Sequence, residues 1–376
     1  MIRNLTSVAK RGRNCCLIRS ALFSETKNLS SFQERRSNIV FHRHRSTYAE
    51  NKSKDPNNEC LFQKRYITIR SCYDLWIDVP KAGLIFEVEY YDSSPDMSID
   101  PKVPLVLALH DTPGTAEDLL PVLNLLAKLG YRVIAPNFPG CGKTKWVKWR
   151  DWNVFTGALD EKMHFVFDFQ SALDIQRVDV ALGYGMGCST CVALSGTDSN
   201  IYRSNALLCP AEHTPLKPVK GKLRHEQARN LFTLWETLQT RPFVWLYMIF
   251  NKGKYGYSGY SAMQVINTAR AMAGSRYKSL QGFMARLQTK GVPCCMVYHS
   301  VADAKVPPEI SQVYAELLGI KPEDFIVYQD DKKNSNQGKT HFPKGLKVEH
   351  ETPVLLETYS KPIARMIRGV VKTLSF

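Results

Sequence analysis

The stretch Val178-Asp179-Val180-Ala181-Leu182-Gly183-Tyr184-Gly185-Met186-Gly187-Cys188 reads as a buried strand ending in a tight turn with three glycines. Apart from Asp179, its first half is apolar throughout, as expected of a strand covered on both faces. Ser189-Thr190-Cys191-Val192-Ala193-Leu194 follows, small and apolar enough for a helix packed closely on a sheet. A strand that runs through a glycine turn straight into a helix is a building unit of α/β folds.

The same rhythm extends outward. Residues 64–70 and 84–91 alternate apolar and polar and predict an antiparallel pair. Residues 103–109 form a continuous apolar run, and residues 131–136 predict the next strand. Between them, residues 117–129 have helical spacing through Leu120, Leu123, Leu126 and Ala127, closed by Gly130. Residues 160–176 predict a helix with Met163, Val166, Phe167, Ala172 and Leu173 toward the sheet. Downstream, residues 205–209, 292–298 and 325–328 predict strands. A closing helix over 353–374 carries Leu356, Ile363, Met366, Ile367 and Val370. The expectation is an α/β fold with a mostly parallel sheet flanked by helices on both faces. Residues 211–285 interrupt the pattern with an aromatic, helical insertion that includes Trp235, Phe243, Trp245 and Tyr257.

With 376 residues, 44% of them hydrophobic, the chain can bury one large core or two modest ones. The formal charge is +15, of which residues 1–48 supply +8, with ten basic residues against two glutamates. The remaining +7 is ordinary for a soluble protein and gives no nucleic-acid footprint. The most apolar run, residues 243–250, is far too short to span a membrane. Residues 1–50 are rich in Arg and Ser, have no acid before Glu25, and place Ile2, Leu5, Val8 and Ala9 at helical spacing among basic residues. That is the composition of a mitochondrial transit peptide, with a disordered basic tail on a cytoplasmic protein as the alternative. The expected organisation is a basic region and linker over 1–60, then one domain over 61–376 with its insertion at about 211–285. Ten scattered cysteines form no disulfide framework and read as buried thiols. Cys188-Ser189-Thr190-Cys191 lacks a second pair at metal-ligand spacing, and neither a metal nor a cofactor is expected. Gly140-Cys141-Gly142-Lys143-Thr144 fails as a phosphate loop because Asn137 stands where its first glycine belongs.

Several motifs in order resemble the α/β-hydrolase superfamily. His110-Asp111-Thr112-Pro113-Gly114 sits where the family has H-G-x-P-G. Residues 135–144 are similar to its A-P-D-x-P-G-x-G-x-S loop. The glycine turn resembles the nucleophile elbow G-x-S-x-G. Residues 299–307 resemble the segment that carries the acid, and Lys339-Thr340-His341-Phe342 the turn that carries the histidine. The chain is also similar to a nematode-type α/β-hydrolase family of unknown function. The resemblance implies an α/β-hydrolase fold with a lid inserted after the sixth strand, and it covers residues 61–376.

It also implies site positions. Gly185 falls at the nucleophile and brings no hydroxyl. Asp303 would orient His341, and His341 would act as base. Backbone N–H groups of Met186 and of the Asp111–Thr112 stretch would form the oxyanion hole, with the Asp111 side chain, where the family has Gly, working against an oxyanion. Two functions are expected to compete. One is a hydrolase-fold protein without serine-hydrolase activity that binds a small apolar or ester-like molecule or a protein partner. The other is an enzyme that uses the His341–Asp303 pair as a general base without a covalent intermediate.

Overall fold

The computed structural model describes residues 61–73, 83–95, 100–147, 154–210, 223–275, 277–299, 308–328, 345–348, 356 and 358–374. In chain order the elements are β1 (Gln63–Ser71), β2 (Leu84–Asp92), β3 (Leu105–Leu109), α1 (Leu120–Lys128), β4 (Arg132–Pro136), β5 (Lys145–Trp146), α2 (Leu159–Ala172), β6 (Val180–Tyr184), α3 (Gly187–Thr197) and β7 (Asn205–Leu208). There follow α4 (His225–Glu236), α5 (Arg241–Asn251), α6 (Ala262–Ala273), α7 (Tyr277–Thr289), β8 (Cys294–His299), α8 (Pro308–Leu317), β9 (Phe325–Tyr328), β10 (Gly345–Val348) and α9 (Ser360–Thr373).

The strands form one sheet in the order β1-β2-β4-β3-β6-β7-β8-β10-β9, with β5 paired to β2. β2 pairs antiparallel with β1, β4 and β5, and every pair from β4 through β9 along this order is parallel. β6 lies in the middle because its apolar residues face helices on both sides. Leu105, Leu107, Leu109 and Ala181 point into one core with Phe165 and Phe169 of α2 and Leu280, Met284 and Leu287 of α7. Val106, Ala108, Val180 and Leu182 point into the other with Val122 and Leu126 of α1 and Ile363, Met366 and Ile367 of α9. The period-two geometry of a strand sends neighbours to opposite layers even where the sequence shows no alternation.

Some local expectations shift. α2 ends at Ala172, short of the 176 expected, and its buried face carries Phe165 and Phe169 while Phe167 is only partly covered. β5 and β10 carry no run long enough to be read from sequence. Because β5 adds a strand to the count, the insertion follows β7.

The inserted helices α4, α5 and α6 pack around Leu231, Trp235, Val244, Met248, Val265 and Ile266, and Met186 of the glycine turn joins that cluster. The insertion therefore sits over the end of β6. Arg270 of α6, 1% exposed, donates to the Phe155 carbonyl at 3.1 Å and ties the insertion to the loop before α2. α7 instead packs against α3 and the sheet layer, so residues 277–285 of the expected insertion belong to the flanking helices.

Candidate functional site

The site is built where β6 stops. Gly185 has φ +54°, a backbone conformation that glycine adopts at no Cβ cost. Gly187 opens α3 directly against β3, where any Cβ would overlap the Leu109 carbonyl. The turn thus exists because these two positions carry no side chain.

The space a side chain at 185 would fill is already taken. A Cβ built on Gly185 overlaps the carboxylate of Asp111, which reaches across from the end of β3. Asp111 Oδ1 accepts the Thr112 N–H at 2.8 Å and the Met186 N–H at 2.8 Å. These are the backbone donors that the resemblance assigns to an oxyanion hole. Both N–H groups point to one place, and the protein's own carboxylate occupies it. The two sequence expectations about Asp111 and Gly185 turn out to describe one contact: the anion fits because residue 185 has no Cβ.

Neighbouring groups hold this arrangement. Lys162 of α2, 3% exposed, donates to Thr112 Oγ1 at 3.1 Å and lies 5.1 Å from the centre of the Phe138 ring. Its ammonium places a positive charge beside the loop that bears Asp111. Tyr257, between α5 and α6, has its phenol pushed well above the usual range by burial first and by the Asp111 charge second, so it stays protonated. His110 accepts the Phe138 N–H on Nε2 at 3.0 Å, which leaves Nδ1 to donate to the Asp111 carbonyl at 2.6 Å. Complete burial lowers its pKa to about 4, so the ring is neutral and joins the β3 and β4 loops as structure.

The loop after β4 is likewise filled from within. Glu89, 2% exposed, accepts the Lys143 N–H at 2.7 Å and Asn137 Nδ2 at 2.8 Å, and Asn137 Oδ1 accepts the Ala116 N–H at 2.7 Å. A carboxylate holds the backbone donor that a phosphate would need. Cys188 and Cys191 are buried free thiols, and burial pushes both far above the range in which a thiolate forms. Among the described residues no group of three or more His, Cys, Asp or Glu side chains could hold a metal ion.

Asp303 and His341 lie outside the described residues. Gly185, Asp111, Thr112 and Met186 are brought together; Lys162, Tyr257 and the role of His110 were not foreseen. Lys162 left one signal: it falls at helical spacing with Phe165, Val166 and Phe169, a lysine on an apolar stripe.

The sequence profile of the Alpha/beta hydrolase family matches residues 106–335, more than half of the chain. The chain belongs to the α/β-hydrolase family. No curated protein is similar enough in sequence to match it. Among solved structures, haloalkane dehalogenase DbeA from Bradyrhizobium elkani USDA94 is similar at 13% identity and TM-score 0.51, covering 83% of this chain and 98% of that one. The DbeA-M1 loop variant from Bradyrhizobium elkanii is similar at 14% identity and TM-score 0.50, covering 83% and 97%. At such identities the likeness is one of fold, and the function must be argued from the site.

Proposed function

We propose that the protein is an α/β-hydrolase family member that has lost serine-hydrolase turnover and binds a small molecule at the site around Gly185. One observation carries this reading: the Asp111 carboxylate, seated on the N–H groups of Thr112 and Met186 against Gly185. Acyl transfer needs a hydroxyl at the elbow and free donors where negative charge develops. Here the hydroxyl is absent and the donors already serve an anion. An ester carbonyl placed there would set its oxygen against a carboxylate, so the site suits an apolar ligand or one that presents a hydrogen-bond donor toward Asp111. This revises the ester-like ligand expected from the resemblance.

The purified protein is expected to show no turnover of p-nitrophenyl esters and no labelling by a fluorophosphonate probe. Robust ester hydrolysis abolished by His341→Ala would overturn the reading and favour a general-base enzyme working through His341 and Asp303.

The basic, acid-poor N-terminus supports a mitochondrial destination. Residues 1–60 fused to a fluorescent protein are expected to direct it to mitochondria; a diffuse cytosolic signal from an uncleaved fusion would count against that.

A further inference from the structure

We propose that α5 is a membrane-surface element that docks the protein flat onto an anionic lipid bilayer. Within α5 only Val244 and Met248 are buried, one turn apart, on the side that meets α4 and α6. The rest of the helix turns outward Phe243 at 72% exposed, Phe250 at 75%, and Trp245, Leu246, Tyr247 and Ile249 between them. No charged residue stands from Pro242 to Asn251. A helix apolar all round belongs in a core or against lipid, and this one has only a narrow stripe in a core. Eleven large apolar side chains are exposed among the described residues, and eight of them fall within 234–250. They form one surface rather than the scattered singles every protein shows.

The charges around this face decide what covers it. Residues 237–260 contain no Asp or Glu, and their three formal charges are Arg241 at one end of α5 and Lys252 and Lys254 at the other. The single acid within 234–250, Glu236, lies 3.6 Å from the Arg270 guanidinium, and an apolar helix with cations at both ends complements anionic headgroups. Trp245 and Tyr247 are the residue types that settle at a lipid–water boundary, apolar in body and polar at the tip. A second copy fits less well, because a two-fold interface would set the same cationic rim against itself. The helix lies on the bilayer rather than through it: eleven residues reach about 16 Å, against roughly 30 Å of hydrocarbon. Among the described residues no helix is long and apolar enough to cross a membrane. Because the same insertion packs over Met186, docking brings the cover of the Gly185 site to the lipid surface.

The test is co-sedimentation of the full-length protein with phosphatidylcholine vesicles, with and without phosphatidylserine. Binding is expected to the anionic vesicles, weakened by salt and by omitting phosphatidylserine. Phe243→Ser/Phe250→Ser is expected to lower the affinity at least about 100-fold, from the apolar area of two phenyl rings, with the melting temperature unchanged. Lys254→Gln is expected to lower it about fivefold. Three results would each overturn the proposal. One is no binding to either vesicle. Another is binding undiminished in the double variant, which would assign it to the basic residues 1–48. The third is a stable dimer abolished by that variant, which would make the face an interface between copies of this chain.

Discussion

Gly185→Ser is expected to lower stability by about 3 kcal/mol, whereas the same change made in an Asp111→Gly background should cost only about 1 kcal/mol. The smaller figure is the cost of placing a Cβ at φ +54°. The larger one adds displacement of the Asp111 carboxylate, which the new Cβ overlaps, from two hydrogen bonds to a charged acceptor. The coupling between the positions, about 2 kcal/mol, is readable from urea midpoints of the four proteins in a double-mutant cycle. Additive effects would mean that Asp111 does not occupy the space of a side chain at position 185. The same cycle reports on chemistry. Gly185→Ser should label slowly, once per molecule, with a fluorophosphonate, because a hydroxyl is present while the displaced Asp111 carboxylate keeps a negative charge beside the place where an oxyanion would form. Adding Asp111→Gly removes that negative charge from beside the Thr112 and Met186 N–H groups and should speed labelling by about 10²–10³, the range associated with one oxyanion donor.

The second large effect is the acid sensitivity set by His110. Its folded pKa of about 4 lies below the ordinary 6.5, because burial disfavours the imidazolium. The group's contribution is therefore complete above pH 6.5 and is lost as pH falls toward 4: in that window the unfolded chain binds a proton that the native state refuses. Between pH 7 and pH 5 this amounts to about 2 kcal/mol, before most carboxylates begin to titrate. His110→Gln should be less stable at pH 7, since the Phe138 N–H and the Asp111 carbonyl lose their shared partner. Its stability should nonetheless fall less steeply between pH 7 and pH 5. Equal slopes for the two proteins in chemical denaturation would show that His110 is accessible to water and titrates normally.

The local features of this protein are written in short stretches of chain. Gly185 and Gly187 announce the turn because backbone sterics act between neighbours, and a run such as residues 178–184 announces a strand covered on both faces because no position on it is reserved for water. The order of the motifs then carried the family. What the sequence could not state is which atoms meet across the fold. Asp111 and Met186 are 75 residues apart, and only the parallel pairing of β3 with β6 sets Leu109 beside Gly183 and brings the carboxylate onto the Met186 N–H. Strand faces were hidden in the same way: Val106 and Leu107 are equally apolar, yet they enter different cores because of the pleat. Lys162 and Tyr257 joined the site through the packing of α2 and of the insertion, contacts that no local spacing encodes. The sequence by itself determined the strand–turn–helix unit and the glycine at position 185, since both are properties of consecutive residues. Tertiary structure alone decided that a carboxylate fills the vacated space, since that depends on strand register and on a Cβ that Gly185 does not have.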